Sequence, residues 1–171
     1  FAKSMPEPFD YINCAGVLHH LEAPEEGLRD LTAVLKADGA MGVMVYGEHG
    51  RLAVTEWRKM IAPLLDGKNL GEQLAMTRKL LSTLPEDNML LKMGGGPGFI
   101  KGLLENDPEI VDLLLHPVEC AYDVHGVYDF AASAGLHVAA FTGFFGFGGT
   151  GKAHYNIENL IRDPGLMHDL A

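Results

Sequence analysis

Residues 9–21, followed by one amphipathic segment and a second apolar run, constrain this chain more than any other feature. Residues 11–15 are short and largely apolar, the pattern of a strand buried on both faces of a parallel sheet. Pro24, Glu25 and Glu26 open a helix, with proline in the first turn and two acids at the positive end of the dipole. Leu28, Leu31, Val34 and Leu35 recur at three- and four-residue steps, so one apolar stripe can lie on a sheet. Asp38-Gly39 is the expected helix stop, and residues 40–46 the second buried strand. Strand, crossover helix and parallel strand make one right-handed unit. Such sheets bind ligands beyond the carboxyl ends of their strands, which here are residues 13–20 and 46–51.

The later chain reads as helices broken by glycine and proline. A turn at 47–50 precedes a helix over 52–65 whose last turn Pro63 limits. A stronger helix over 71–84 ends at Pro85, and Gly94-Gly95-Gly96-Pro97-Gly98 makes 88–102 irregular. Asp107 as N-cap with Pro108 starts a short helix to Leu115, residues 124–134 form another closed by Gly135, and 136–141 read as a strand. Two short helical turns are expected at 156–161 and 164–170. Gly146 to Lys152 fits G-x-x-x-x-G-K, but Ala153 stands where a magnesium-holding hydroxyl is needed, so it reads as a plain glycine-rich loop. The expected organisation is 1–50 as the strand–helix–strand part of an α/β core and 51–117 as a helical insertion. Residues 118–171 then supply the core's final helix and strand.

Composition narrows the function. A net charge of -10 argues against whole-surface attraction to nucleic acid or anionic membranes, and no window reaches the apolar length of a membrane span. Two cysteines make no disulfide framework and fit reduced thiols in a cytoplasmic protein. No H-x-x-x-H or C-x-x-C spacing suggests a metal. His19 and His20 are adjacent, so in extended backbone they point oppositely and do not share one ion. Tyr46, Glu48, His49 and Arg51 leave the second strand at one edge, either as substrate-orienting groups or as a solvated turn. Tyr122 and His125 flank the later helix start.

The run FDYINCAGVLHHLEAPEEGLRDLTAVLKADGAMGVMVYG resembles the second half of a class I S-adenosylmethionine-dependent methyltransferase. There, an "FD-hydrophobic" fourth strand enters a "VLHHL"-like loop, a helix ends near "VLKPGG", and a fifth strand follows. Ala37 and Asp38 replace the usual proline and glycine. A weaker likeness continues from His116-Pro117 through Gly135. The resemblance implies a partial Rossmann-like α/β fold with a helical insertion, S-adenosylmethionine as cofactor, and a small-molecule or other methyl acceptor. It implies that Asn13, Cys14, Ala15 and Gly16 line the cofactor, with His20 and Tyr46 near the transferred methyl and His19, His49 and Arg51 on the acceptor side. The family's glycine-rich loop and its two cofactor-binding acids lie upstream of the fourth strand. The chain is therefore expected to be a fragment, inactive when isolated, whose exposed sheet edge meets another copy or a partner chain. The insertion is a substrate cap or a structural filler. The competing reading is a non-catalytic interaction or dimerisation module.

Overall fold

The computed structural model describes residues 7–94, 96–141 and 154–161. Strand β1 (Phe9–Ala15) leads through a 3-10 turn (Leu18–His20) and helix α1 (Pro24–Ala33) into β2 (Leu35–Gly47). β1 and β2 pair in parallel, with Ile12 opposite Met41 and Ala15 opposite Met44. The strand–helix–strand unit expected from the sequence is present.

Its internal boundaries differ from the expected ones. α1 ends at Ala33, and the carbonyl of its C-cap Val34 accepts from the Phe9 amide at 2.8 Å. Sheet pairing therefore begins where the apolar stripe would have continued the helix. Leu35 is buried as the first residue of β2, not as the last of α1. Phe9 lies opposite Leu35 but Tyr11 opposite Ala40, so residues 36–39 form a bulge. A Cβ on Gly39 would lie 2.9 Å from the Leu35 side chain and 3.0 Å from the Asp10 carbonyl oxygen. The Asp38-Gly39 signal thus marks a crowded bulge and not a helix end. Lys36 bridges it to Asp10 at 2.6 Å, holding that exposed carboxyl below its ordinary range.

From β2 the chain enters α2 (Glu48–Leu65), α3 (Leu70–Leu81), α4 (Met89–Gly94), α5 (Pro97–Glu105) and α6 (Asp107–Ile110), which continues as a π-helical turn (Val111–Leu115). It then forms β3 (Ala121–Tyr122), α7 (Val124–Ser133), β4 (His137–Val138) and β5 (His154–Ile161). The sheet runs β1-β2-β5-β4, with β3 beside the end of β2. β1, β2 and β3 are parallel, and β5 is antiparallel to both β2 and β4. The expected strand at 136–141 shrinks to two residues, and the helical turn expected at 156–161 is β5. Asn156, Glu158 and Asn159 hide its alternation, while the backbone groups of the two strands it joins favour a ladder. The turn expected at 164–170 and the glycine-rich Gly146–Lys152 lie outside the described residues.

β1 is not buried on both faces. It ends the sheet, so Tyr11, Asn13 and Ala15 are exposed while Ile12 and Cys14 are half-buried against the core. That core joins Leu28 of α1 and Met41, Val43 and Val45 of β2 to Val127 and Phe130 of α7. Asp123 caps α7 by accepting from the Gly126 amide at 2.6 Å, and Gly135 closes it at φ 71°.

The described residues divide into two compact units: 7–48 with 118–141 and 154–161, and the helical residues 49–117. The helical unit has its own core, built on Val54, Trp57 and Ile61 of α2 with Leu81, Leu90, Ile100, Leu103 and Ile110. Within 88–102, residues 89–94 and 97–102 are helical: α4 and α5 bury Leu90, Leu91, Ile100 and Leu103, and burial overrides the glycines there. α2 starts at Glu48, so the expected 47–50 turn is mostly its first turn. α3 begins with a capping box that the sequence reading missed, Asn69 and Glu72 each accepting the other's backbone amide. Asp107 is not an N-cap; Asn106 occupies that place, and the Asp107 carboxylate accepts from Arg78 Nε at 2.8 Å. Among the described residues no helix is long and apolar enough to cross a membrane.

Thr77 Oγ1 is buried with no hydrogen-bond partner among the described residues. A buried hydroxyl in that state costs about 1–3 kcal/mol. Thr77→Val, which keeps the shape, is expected to raise the urea midpoint with an unchanged m-value; a lower midpoint would refute this.

Candidate functional site

The carboxyl ends of β1 and β2 carry most of the residues singled out from the sequence. Gly16 leaves β1 at φ 75°, a region that favours glycine, while its amide still donates to the Met44 carbonyl at 3.2 Å. The ladder thus extends one residue past β1 before the chain turns sharply into the 3-10 turn. A Cβ on Gly16 would meet Met44 Cε at 3.4 Å, so strain in the backbone, more than crowding, restricts this position. Asn13 lies opposite Gly42, where a Cβ would sit 3.3 Å from Asn13 Oδ1 and 2.3 Å from Tyr11 Oη. These side chains lie low over a flat patch of β2. Asn13 and Ala15 are open to solvent, while Cys14 turns to the core side.

His19, His20 and Tyr46 come together. His19 is fully buried, its ring 3.8 Å from that of Tyr46 and 4.3 Å from that of His20, and Tyr46 is only 5% exposed. His20 meets Tyr46 edge-on at 5.7 Å. His20 Nδ1 lies 3.1 Å from the Val118 carbonyl oxygen. A carbonyl only accepts, so Nδ1 carries the proton and donates it, and in the neutral ring Nε2 keeps the lone pair. The nitrogens of His19 and the Nε2 of His20 are buried from solvent. His49 and Arg51 belong to the helical unit. His49 is exposed; Arg51 is 2% exposed and donates to the Leu113 carbonyl at 3.3 Å.

Sequence reasoning places residues 118–122 only within the weaker likeness that runs from His116-Pro117 through Gly135. The Cys120 amide donates to the His19 carbonyl at 2.8 Å, and Ala121 and Tyr122 pair with Tyr46 and Gly47. Nothing in the residue types of 118–120 signals these backbone contacts, although Tyr122 was noted for its place before α7. Its ring packs 5.0 Å from Phe130, and its hydroxyl is buried with no hydrogen-bond partner among the described residues. The exposed His125 is in the first turn of α7, on the outside of the unit.

The helical unit has a concavity of its own, about 510 Å³, walled by Ile61 and Leu114 and edged by Arg58, Asp66, Gln73 and His116. Arg58 donates to the His116 carbonyl there. Among the described residues no three His, Cys, Asp or Glu side chains gather as metal donors.

Burial raises the Cys14 thiol from its ordinary value of 9.0. It does the same for Cys120, with Glu25 and Glu119 adding to it. Burial also raises Tyr122 well above 10.0, helped by Cys120 and Glu25. All three folded values exceed the unfolded ones, so each contribution is intact below about pH 9 and is lost as pH rises, because the unfolded chain releases these protons first. The urea midpoint is expected to fall between pH 8 and pH 10.5, and less steeply in Cys14→Ala. An unchanged midpoint over that range would contradict the assignment.

No family model matches the chain. An uncharacterized protein of Synechococcus sp. is 35% identical over 143 residues, which cover 81% of this chain and 33% of that protein. PKMT2 from Rickettsia typhi, solved in complex with AdoHcy, superposes with a TM-score of 0.55 at 22% identity, covering 82% of this chain and 29% of PKMT2. A second structure of PKMT2 gives 0.51 at 20% identity, covering 85% and 30%. The chain thus spans about a third of the length of the proteins it matches. At these identities the likeness to PKMT2 is one of fold. It fits the observed architecture, a partial Rossmann-like α/β sheet carrying a helical insertion.

Proposed function

We propose that this chain forms the acceptor-side part of an S-adenosylmethionine-dependent methyltransferase within a longer protein. The observation that carries the reading is the left-handed Gly16 at the carboxyl end of β1, inside a parallel unit whose fold is shared with a protein that holds AdoHcy. A ligand at this edge meets open backbone and small side chains, with Asn13, Ala15 and Gly16 as its wall and Cys14 supporting that wall from the core side. Tyr46 and His19 form the rigid floor, stacked at 3.8 Å. The helical residues 51–117 are proposed as the cap that selects the methyl acceptor, with Arg51 fixing the Leu113 backbone inside it.

Bound there, S-adenosylmethionine would supply a methyl group already activated on its sulfonium. The chain's own residues would then act by holding partners in line. Positioning of that kind is worth roughly 7–11 kcal/mol in well-oriented reactions. This accounts for a site whose polar side chains are sparse and whose histidines are buried.

One wall gives weak binding. Titrating the labelled 171-residue chain with S-adenosylmethionine is expected to shift the amides of residues 13–16 and 46–49, with a Kd near or weaker than about 1 mM. Gly16→Val should abolish the shifts. Shifts confined to other residues, or none at saturating ligand, would sink the reading.

A second reading, an interaction module, is favoured by one specific observation. Phe9 and Tyr11 are 44% and 51% exposed along the strand that ends the sheet, and Val17 just beyond it is 51% exposed. Open apolar edges recruit further strands. Self-association at micromolar concentration is expected by light scattering, weakened by Tyr11→Lys; a monomer at all concentrations counts against it.

A further inference from the structure

We infer that His20 is a positioning residue: its Nδ1–H clasps the Val118 carbonyl and so fixes where the chain re-enters the sheet after the helical residues. The inference deepens the methyltransferase reading and rests on it only for what the clasp serves. Four observations converge on it. The His20 Nδ1 to Val118 oxygen distance is 3.1 Å across 98 residues of sequence. One residue away, the Cys120 amide donates to the His19 carbonyl at 2.8 Å. Directly after Cys120, β3 joins the end of β2, Ala121 opposite Tyr46 and Gly47 opposite Tyr122. The His20 ring is itself set by His19 at 4.3 Å and by the edge-on Tyr46 at 5.7 Å.

Together these hold residues 118–122 at three successive points, two on the 3-10 turn and one on the end of β2. Two of the ties are backbone bonds of any sequence. The third needs a side chain that donates from a fixed distance, which imidazole Nδ1 does. β3 has only two residues, too few to hold register alone. A side-chain bond three residues before β3 supplies the missing constraint. The result is a strap held against the 3-10 turn that follows Gly16, at the edge where the cofactor wall is proposed. In this arrangement Nε2, the nitrogen that a general base would use, is buried from solvent.

The two roles separate cleanly by substitution. Asparagine places an amide N–H close to the position of Nδ1, whereas glutamine places it close to Nε2. In amide hydrogen exchange on the 171-residue chain, His20→Gln and His20→Ala are expected to expose the amides of Cys120, Ala121 and Tyr122 about tenfold faster, and His20→Asn to keep them near wild type. The ring-carbon shifts of His20 at alkaline pH should report the Nδ1–H tautomer. The Nε2–H tautomer, or equal exchange in the Asn, Gln and Ala variants, would overturn the inference. Neither measurement requires methyl transfer, so a failure of the methyltransferase reading would appear separately, in the titration with S-adenosylmethionine.

Discussion

The parallel ladder between residues 11–15 and 40–44 is the constraint on which the rest of the sheet unit depends. Side chains alternate along a strand, so a slip of one residue would send Ile12 and Cys14 to solvent and drive Asn13 and Ala15 into the packing of α1 and α7. Two local features fix the register. At one end, the bulge over 36–39 sets Leu35 into the core and is braced by Lys36 on Asp10. At the other, the Gly16 amide holds the Met44 carbonyl until the chain turns away. Everything positioned at the carboxyl edge, from Asn13 to Tyr46, inherits its place from these two ends.

The same edge explains how one chain accommodates so long a helical insertion. Closing a loop costs entropy that grows only with the logarithm of its length, so the size of the inserted unit matters less than the fixing of its two ends. Here the chain leaves at Gly47 and returns to pair Tyr122 with that residue. The inserted residues carry their own apolar core, from Ala53 to Leu114. The strap at 118–122 is where the entropy of that closure is met, by backbone bonds and by the His20 side chain.

How much was legible in the sequence follows from what each signal is made of. The β1–α1–β2 unit was readable because apolar periodicity, Pro24 and the acids after it, and the second apolar run all agree, and each is local. The boundary at Val34 was not, because it is decided by a Phe9 amide that sequence distance hides. The glycine cluster near 94–98 signalled irregular chain, yet α4 and α5 form around it because Leu90, Leu91, Ile100 and Leu103 have a core to enter. β5 was read as helical turns because its polar residues blur the alternation, and only its neighbours β2 and β4 define it. The Asn69–Glu72 capping box is a local signal and is legible in the residue spacing alone.

The candidate site shows the same division. Gly16 announced itself, since a glycine between an apolar strand and a turn is where a left-handed residue belongs. The histidine pair invites a chemical reading, and its contacts in the fold support the positioning role inferred for His20. In the 3-10 turn the two rings stay 4.3 Å apart, His19 packed on Tyr46 and His20 bonded to Val118. That outcome could not be read from His19-His20 alone, because the acceptor is a backbone carbonyl with no sequence signature. A site that works by holding a preactivated group in line can be assembled from backbone, glycine and small side chains. Such parts leave a faint trace in sequence, and their arrangement becomes visible only when the strands that carry them are laid side by side.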